Sequence, residues 1–453
     1  MNAGESDLLD AIVVGSGPGG ATVARELARA GWRVAILERG RDHRRSPAYG
    51  TYLGPVRYAA RGSFLYTRQG MNVIRPLMVG GATSMFCGSA APPPAWFAER
   101  YGIDLTRETE ETVRELRIRP LPAELRGEAS TRIAEAAAGE GMEWTPQPKF
   151  MDPDRCPRGF DCGAHCMLGC RCGAKWSAAE FVDEAVAHGA VLRTRARVDR
   201  VLVDGGEAVG VVGRQGRRAF ELRARTIILA AGGLGTPAIL RASGVAEAGR
   251  GLAMDSTLMV YGVAPEGSGG IAHEPPMTWG WTDHEHGYML STLIDPWLLF
   301  PLVVAHAGPR HVLGWARWGR MLGVMIKIKD SVSGEIAADG SIDKPLTDHD
   351  RRRFEHGERT ARRILVRAGC DPDTLVATRL RGTHPSATAR IDDVVDRELR
   401  TAIPGLYVCD ASVFPEALDA PTVLTIIALG KRLAAHLIAA GGTPARTGTR
   451  TGA

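Results

Sequence analysis

The sequence predicts an α/β protein whose first domain is a doubly wound parallel sheet assembled from discontinuous segments. Three observations predict it. Residues 11 to 40 read AIVVGSGPGGATVARELARAGWRVAILERG, where two apolar runs flank a glycine-rich turn and a helical pattern. Far downstream, GLYVCDAS at 405 to 412 gives another short apolar run ending in an acid, followed by an apolar helical pattern from Val423 to Leu437. Between these ends, FVDEAVAHG reads as helix, and VLRTRARVDRVLV, AVGVVG and TIILAAGG read as strands returning to the first sheet. With 453 residues, 44% apolar and 24% charged, the chain can fill two or three domain-sized cores.

Ala11 to Val14 is a continuous apolar run, as a central strand buried on both faces requires. Gly15, Gly17 and Gly20 follow in GxGxxG spacing, then Ala21, Ala24, Leu27 and Ala28 at helical intervals, with Gly31 placed to end the helix. Val34 to Leu37 forms a second run, closed by Glu38. This is a Rossmann-type βαβ unit. Gly15 permits the tight turn, Gly17 lets the backbone approach a pyrophosphate, and Gly20 lets the helix pack on the strand. The helix N-terminus holds the phosphates. Glu38 can accept both ribose hydroxyls and repels a 2′-phosphate, so the unit binds an adenine dinucleotide. Asp410, at the end of the C-terminal strand, can accept a ribityl or ribose hydroxyl. The helix start beyond it can face a flavin pyrimidine ring, which gains negative charge on reduction. This return to the first sheet favours FAD over NAD.

Composition excludes other classes. The net charge of +5 comes almost wholly from arginine, with Lys only at 149, 175, 327, 329, 344 and 431, and it is spread along the chain, so no nucleic-acid partner is expected. The start MNAGESDLLD has no cationic segment before an apolar one, so no secretory signal is read and a cytoplasmic address is expected. The longest apolar stretch, 288 to 308, is broken by Asp295, Pro296 and Pro301 and falls short of the ~18 residues of a membrane span. It reads as buried core or as a lipid- or substrate-facing plateau, which leaves peripheral membrane contact open.

Four segments, in order, carry a resemblance to the glucose-methanol-choline (GMC) oxidoreductase family: the βαβ unit, VGGATSMFCGSA at 79 to 90, AAGGLGTPAILRASGV at 230 to 245, and residues 383 to 434 beginning THPSATARIDD. The resemblance implies a two-domain flavoprotein with a Rossmann-type FAD-binding domain and a mixed α+β substrate domain. It implies that Arg39, Gly81, Ser84, Cys87, Gly232 and Thr425 join Gly15, Gly17, Gly20, Glu38 and Asp410 around FAD, with the backbone near Val198 at the adenine. It also implies that His384 takes the proton from a substrate hydroxyl while hydride passes to flavin N5, a task suited to an imidazole. The family's second His or Asn is replaced here by Ala420-Pro421-Thr422, leaving Asp419 and Thr422 as the nearest polar candidates. Cys87 stands where the family usually has Asn.

Cys156, Cys162, Cys166, Cys170 and Cys172 cluster within seventeen residues. From Cys162 to Lys175 the segment is similar to the cysteine-rich insert of long-chain alcohol oxidases. Three readings stay open: ligation of an iron–sulfur cluster, ligation of zinc, or a packed and partly disulfide-linked loop. A cluster would give electrons an exit to a carrier protein.

The expected division is 1–100, 185–250 and 385–440 for the FAD-binding domain, 101–184 for the cysteine-rich insert, 251–384 for the substrate domain, and a disordered tail at 441–453. Aromatic residues concentrate in the substrate span, as expected of either an apolar pocket or a plain core. The first expectation is dehydrogenation of a small hydrophobic alcohol. The alternatives are reduction or desaturation of a carbon–carbon double bond in a lipid or terpenoid-like substrate, or an electron-transfer flavoprotein.

Overall fold

A computed structural model describes residues 8–58, 64–157, 159–162, 165–265 and 273–441; the extreme N-terminus and the tail from 442 lie outside the described residues. The first strand β1 (Leu9–Val14), the helix α1 (Pro18–Arg29) and the second strand β2 (Val34–Glu38) form where the sequence places them. Ala11, Ile12 and Val13 are fully buried, because their strand lies in the middle of the sheet with α1 packed on it.

That sheet runs in the order Val191–Thr194, β2, β1, Arg218–Leu229, Glu207–Gln215, Ala196–Asp204. β1 pairs in parallel with β2 and with Arg218–Leu229, and the short strand Leu406–Val408 adds in parallel beside Ile227–Leu229. The two ends of the polypeptide therefore meet in one sheet. α1 packs against helix Ala178–Ala187 and against the C-terminal helix Val423–Gly441. By length and composition this last helix could cross a membrane, but its Leu424, Ile427, Leu429 and Leu433 are buried in the core that α1 shares.

The second sheet is mostly antiparallel and centres on Thr257–Val263 and Met321–Ile328, with Tyr288–Thr292 and Trp279–Asp283 alongside. Its two faces are buried against different partners. Leu258, Val260, Leu322, Val324 and Ile326 point to helix Asp348–Arg367, which contributes Ala361, Ile364 and Leu365. The alternate residues Met259, Tyr261, Met289, Met321 and Met325 pack against Phe300, Val304 and Trp318. The concentrated aromatics are therefore divided: Tyr288, Phe300 and Trp318 are core, while Trp297 is exposed. The hairpin Phe64–Tyr66 and Asn72–Ile74 also belongs to this sheet, through Arg381–Gly382. This hairpin lies within the 1–100 span yet pairs in the second sheet, not in the nucleotide sheet.

Candidate active site

The glycine turn is built by contact. Gly15 has φ +107°, and a Cβ on it would lie 2.2 Å from the Ala230 carbonyl oxygen. A Cβ on Gly20 would lie 2.2 Å from the Gly15 oxygen, because α1 presses on its own turn. Gly17 is different: nothing lies within 4 Å of where its Cβ would be. α1 begins there with Pro18 at its first turn and no side chain capping its free N–H groups, which leaves an open cradle at a positive helix end. The 79–84 loop folds over it, with Gly81 against the Gly17 Cα.

Glu38 accepts from the Ser16 N–H (3.2 Å), the Ser16 hydroxyl (2.5 Å) and the Gly40 N–H (2.6 Å). Burial pushes its carboxyl up, and these bonds oppose that. The Ser16 oxygen in turn accepts the Gly80 N–H at 3.2 Å, tying the loop to the turn, a role not read from the sequence. Arg39 is exposed at the strand end, and partial desolvation by the surrounding protein together with the nearby Arg197 lowers its pKa. Val198 is buried in the strand paired to Gly213.

At the other end of the cradle, the buried Asp410 carboxylate accepts from the Gly232 N–H (2.8 Å), the Thr236 hydroxyl (2.5 Å) and the Ser412 N–H (2.8 Å). Burial raises its pKa against those bonds. Gly19, outside the motif spacing, makes the tightest crossing: its Cβ would sit 1.9 Å from the Cys409 oxygen. The hydroxyls of Ser412 and Thr425 are buried without a hydrogen-bond partner. An open phosphate cradle and two orphaned hydroxyls at the far end suit a dinucleotide that supplies the missing polar atoms. These residues fit FAD.

Beyond the strand Arg381–Gly382, His384 lies in an irregular segment, with its backbone N–H on the Met254 oxygen at 2.8 Å. Its Nδ1 is 2.8 Å from Asp255 Oδ2. Asp255 is buried, with left-handed φ +46°, and a second acid holds it there: Asp330 accepts the N–H groups of Met254 and Asp255 and the Ser256 hydroxyl, and pairs with the buried Lys344 at 2.9 Å. Burial would raise the Asp255 carboxyl, but the Lys327 ammonium, 3.6 Å from Oδ2, and the His384 bond hold it below its ordinary value. Lys327 Nζ and Asp255 Oδ1 have no hydrogen-bond partner. Burial lowers the Lys327 pKa.

Asp419 reaches Asp255 through its backbone N–H rather than its carboxylate, which burial pushes up. Thr422 is buried at the start of the C-terminal helix, its carbonyl accepting the Ile426 N–H at 3.1 Å. Neither side chain is hydrogen-bonded to His384. Asp255 and Lys327 were not singled out in the sequence. The available signal was a lysine inside the otherwise apolar strand MLGVMIKI of a lysine-poor chain.

The 84–89 loop is fixed by two buried lysines. Lys149 donates to the oxygens of Cys87, Ser89 and Pro276 (2.7–2.8 Å), and Lys175 to those of Phe86 and Cys166 (2.7 and 2.8 Å) and of Ser84 (3.3 Å). Burial brings Lys149 down to about 8. The Cys87 thiol is pushed up to about 11 by burial and packs beside the methionine-rich core.

The five clustered cysteines do not act as one donor set. Cys156 and Cys172 form a disulfide, and Cys162 and Cys166 face each other at 3.3 Å. A bonded pair has no thiolate to give a metal. Of the three readings of the cluster, the Cys156–Cys172 bond favours the packed, partly disulfide-linked loop, which Lys175 anchors under residues 84–86. Among the described residues, one group of three metal-ligating side chains brings its donor atoms within 4.8 Å, and it contains no cysteine: Asp283, His286 and His356. The two imidazoles stack at 3.9 Å and 7°, so an ion in the plane of one ring would lie out of the plane of the other. A cavity of about 340 Å³ opens beside the cysteine loop, and its Arg44 and Arg155 are already paired with Asp42, Asp183 and Glu180.

Comparison with known proteins agrees with this geometry. Residues 9–53 match an FAD binding domain model, and residues 62–257 and 338–430 match two GMC oxidoreductase models that together span over half of the chain. An uncharacterized GMC-type oxidoreductase of Mycobacterium tuberculosis is 34% identical over 52% of this chain; the chain spans 39% of that relative's length. Long-chain-alcohol oxidase FAO4B of Arabidopsis thaliana is 27% identical over 92% of this chain and 65% of its own. Among solved structures, pyridoxine 4-oxidase from Mesorbium loti matches with TM-score 0.70 at 18% identity, over 94% of this chain and 99% of that one. A formate oxidase structure matches with TM-score 0.73 at 17% identity, over 97% and 99%. With its FAD-binding domain closed by both ends of the polypeptide, the chain belongs to the GMC oxidoreductase family.

Proposed function

We propose that the protein is an FAD-dependent dehydrogenase of small apolar alcohols in which His384 is the base. The bond from His384 Nδ1 to the buried Asp255 carboxylate carries this reading. It fixes the tautomer with the proton on Nδ1, leaves Nε2 as the acceptor for a substrate hydroxyl, and stabilises the imidazolium formed when the proton arrives. Asp330 and Lys344 hold Asp255 in its left-handed conformation, and Lys327 keeps it ionised. When bound, FAD supplies the hydride acceptor. The alcohol oxidase among the relatives supports an alcohol as substrate.

The loss of the family's second His or Asn keeps a carbon–carbon double-bond reaction as the rival. Anaerobic mixing of holoenzyme with a series of primary alcohols decides between them. Flavin bleaching that slows roughly 100-fold or more in His384→Ala supports the proposal. Failure of every alcohol to bleach the flavin, together with alkene reduction driven by an electron donor, refutes it.

A further inference from the structure

Among the described residues twelve large apolar side chains are strongly exposed, and four of them, Trp297, Leu298, Leu302 and Leu313, fall in one short stretch of the substrate domain. The stretch folds as a cap over the methionine-rich core. Helix Phe300–Val304 turns Phe300 and Val304, one turn apart, onto that core, which leaves Leu302 on the opposite side at 73% exposure. Helix Pro309–Leu313 repeats the arrangement, with His311 buried, Val312 partly packed and Leu313 at 73% exposure. The two helices touch, and the Trp297 and Trp315 rings lie 4.7 Å apart beside them.

The charge pattern names the occupant. From Pro296 to Arg320 there is no Asp or Glu, while the exposed Arg310 and Arg317 supply positive charge. Leucines on a crest, indole at its margin and unopposed guanidinium groups match the interface of an anionic bilayer. The leucines enter the acyl boundary, the indole sits at headgroup level and the arginines meet phosphates. A second copy of this chain would bring the same arginines together across a two-fold axis, which like charge disfavours. We propose that the 296–320 cap docks the protein on an anionic lipid surface, with Leu302 and Leu313 inserted. This stands independently of the alcohol reading.

Holoenzyme is floated with vesicles of phosphatidylcholine alone and of phosphatidylcholine mixed with phosphatidylglycerol. The expected result is flotation with the mixed vesicles, weaker by about tenfold with neutral ones. Leu302→Asp/Leu313→Asp should lower partition by about tenfold or more with flavin content unchanged. Arg310→Ser/Arg317→Ser should reduce binding to the neutral-lipid level. Should the double aspartate variant lose flavin, Leu302→Ser and Leu313→Ser serve instead, each expected to weaken partition by about threefold. The proposal is overturned by absence of flotation, by equal flotation of wild type and leucine variants, or by a dimer on size-exclusion chromatography that the leucine variants abolish.

Discussion

Replacing Asp255 with Asn tests the proton-transfer reading at its most exposed point. Asn keeps the size and tolerates the left-handed φ of +46°, so the backbone has no reason to move. What changes is the charge beside His384 Nδ1, now 2.8 Å from a carboxylate oxygen. A carboxylate about 4 Å from an imidazolium stabilises it by about 4 kcal/mol at an effective dielectric constant of 20. The Asn amide oxygen still accepts from Nδ1 and retains part of this, so about 2–3 kcal/mol is lost. At about 1.4 kcal/mol per decade, flavin reduction should slow by about 30- to 150-fold. The assay is anaerobic stopped-flow bleaching by a saturating alcohol. Asp255→Asn also removes the nearest counter-charge of the buried Lys327, so thermal stability should fall; Asp255→Asn/Lys327→Met should recover stability but not the full rate. A single variant that reduces flavin within about twofold of wild type, or a double variant that recovers the rate, would refute the reasoning.

Other predictions follow from the same geometry. Gly19→Ala places a Cβ 1.9 Å from the Cys409 oxygen and should cost about 3 kcal/mol or more of stability, whereas Gly17→Ala meets nothing and should keep the melting temperature of apoprotein while losing FAD; equal effects on both would contradict the packing. Burial raises Glu274, which accepts the N–H groups of Ala129 and Ser130, from 4.5 to about 7. A raised carboxyl favours the folded state at low pH, so roughly 3 kcal/mol of stability should be lost as pH climbs from about 4.5 through about 7. Glu274→Gln should flatten that slope in thermal melts. Denatured, unreduced protein should show six free thiols of its eight cysteines, with neither iron nor acid-labile sulfide at stoichiometric level. Eight thiols, or bound iron, would restore the ligand reading of the cluster.

The sequence alone determined what depends on neighbours along the chain. The βαβ unit, the strands from 191 to 229 and the helix after 423 were legible because burial on a sheet imposes period and glycine spacing locally. The resemblance to the GMC family rested on such local segments too. The tertiary structure alone decided what depends on meetings across the chain. Asp255 is 129 residues from His384, and no spacing rule pairs them. Gly19 looks like any helix glycine until the Cys409 carbonyl crosses it. The cysteines advertised a cluster by density, but ligation needs convergence in space, and two of them had already joined each other. The rarity of lysine held a clue: four of the six, Lys149, Lys175, Lys327 and Lys344, are buried, each with its ammonium held by carbonyls or by one acid. Which partners those ammonium groups would find is fixed by tertiary packing, and composition carries no record of it.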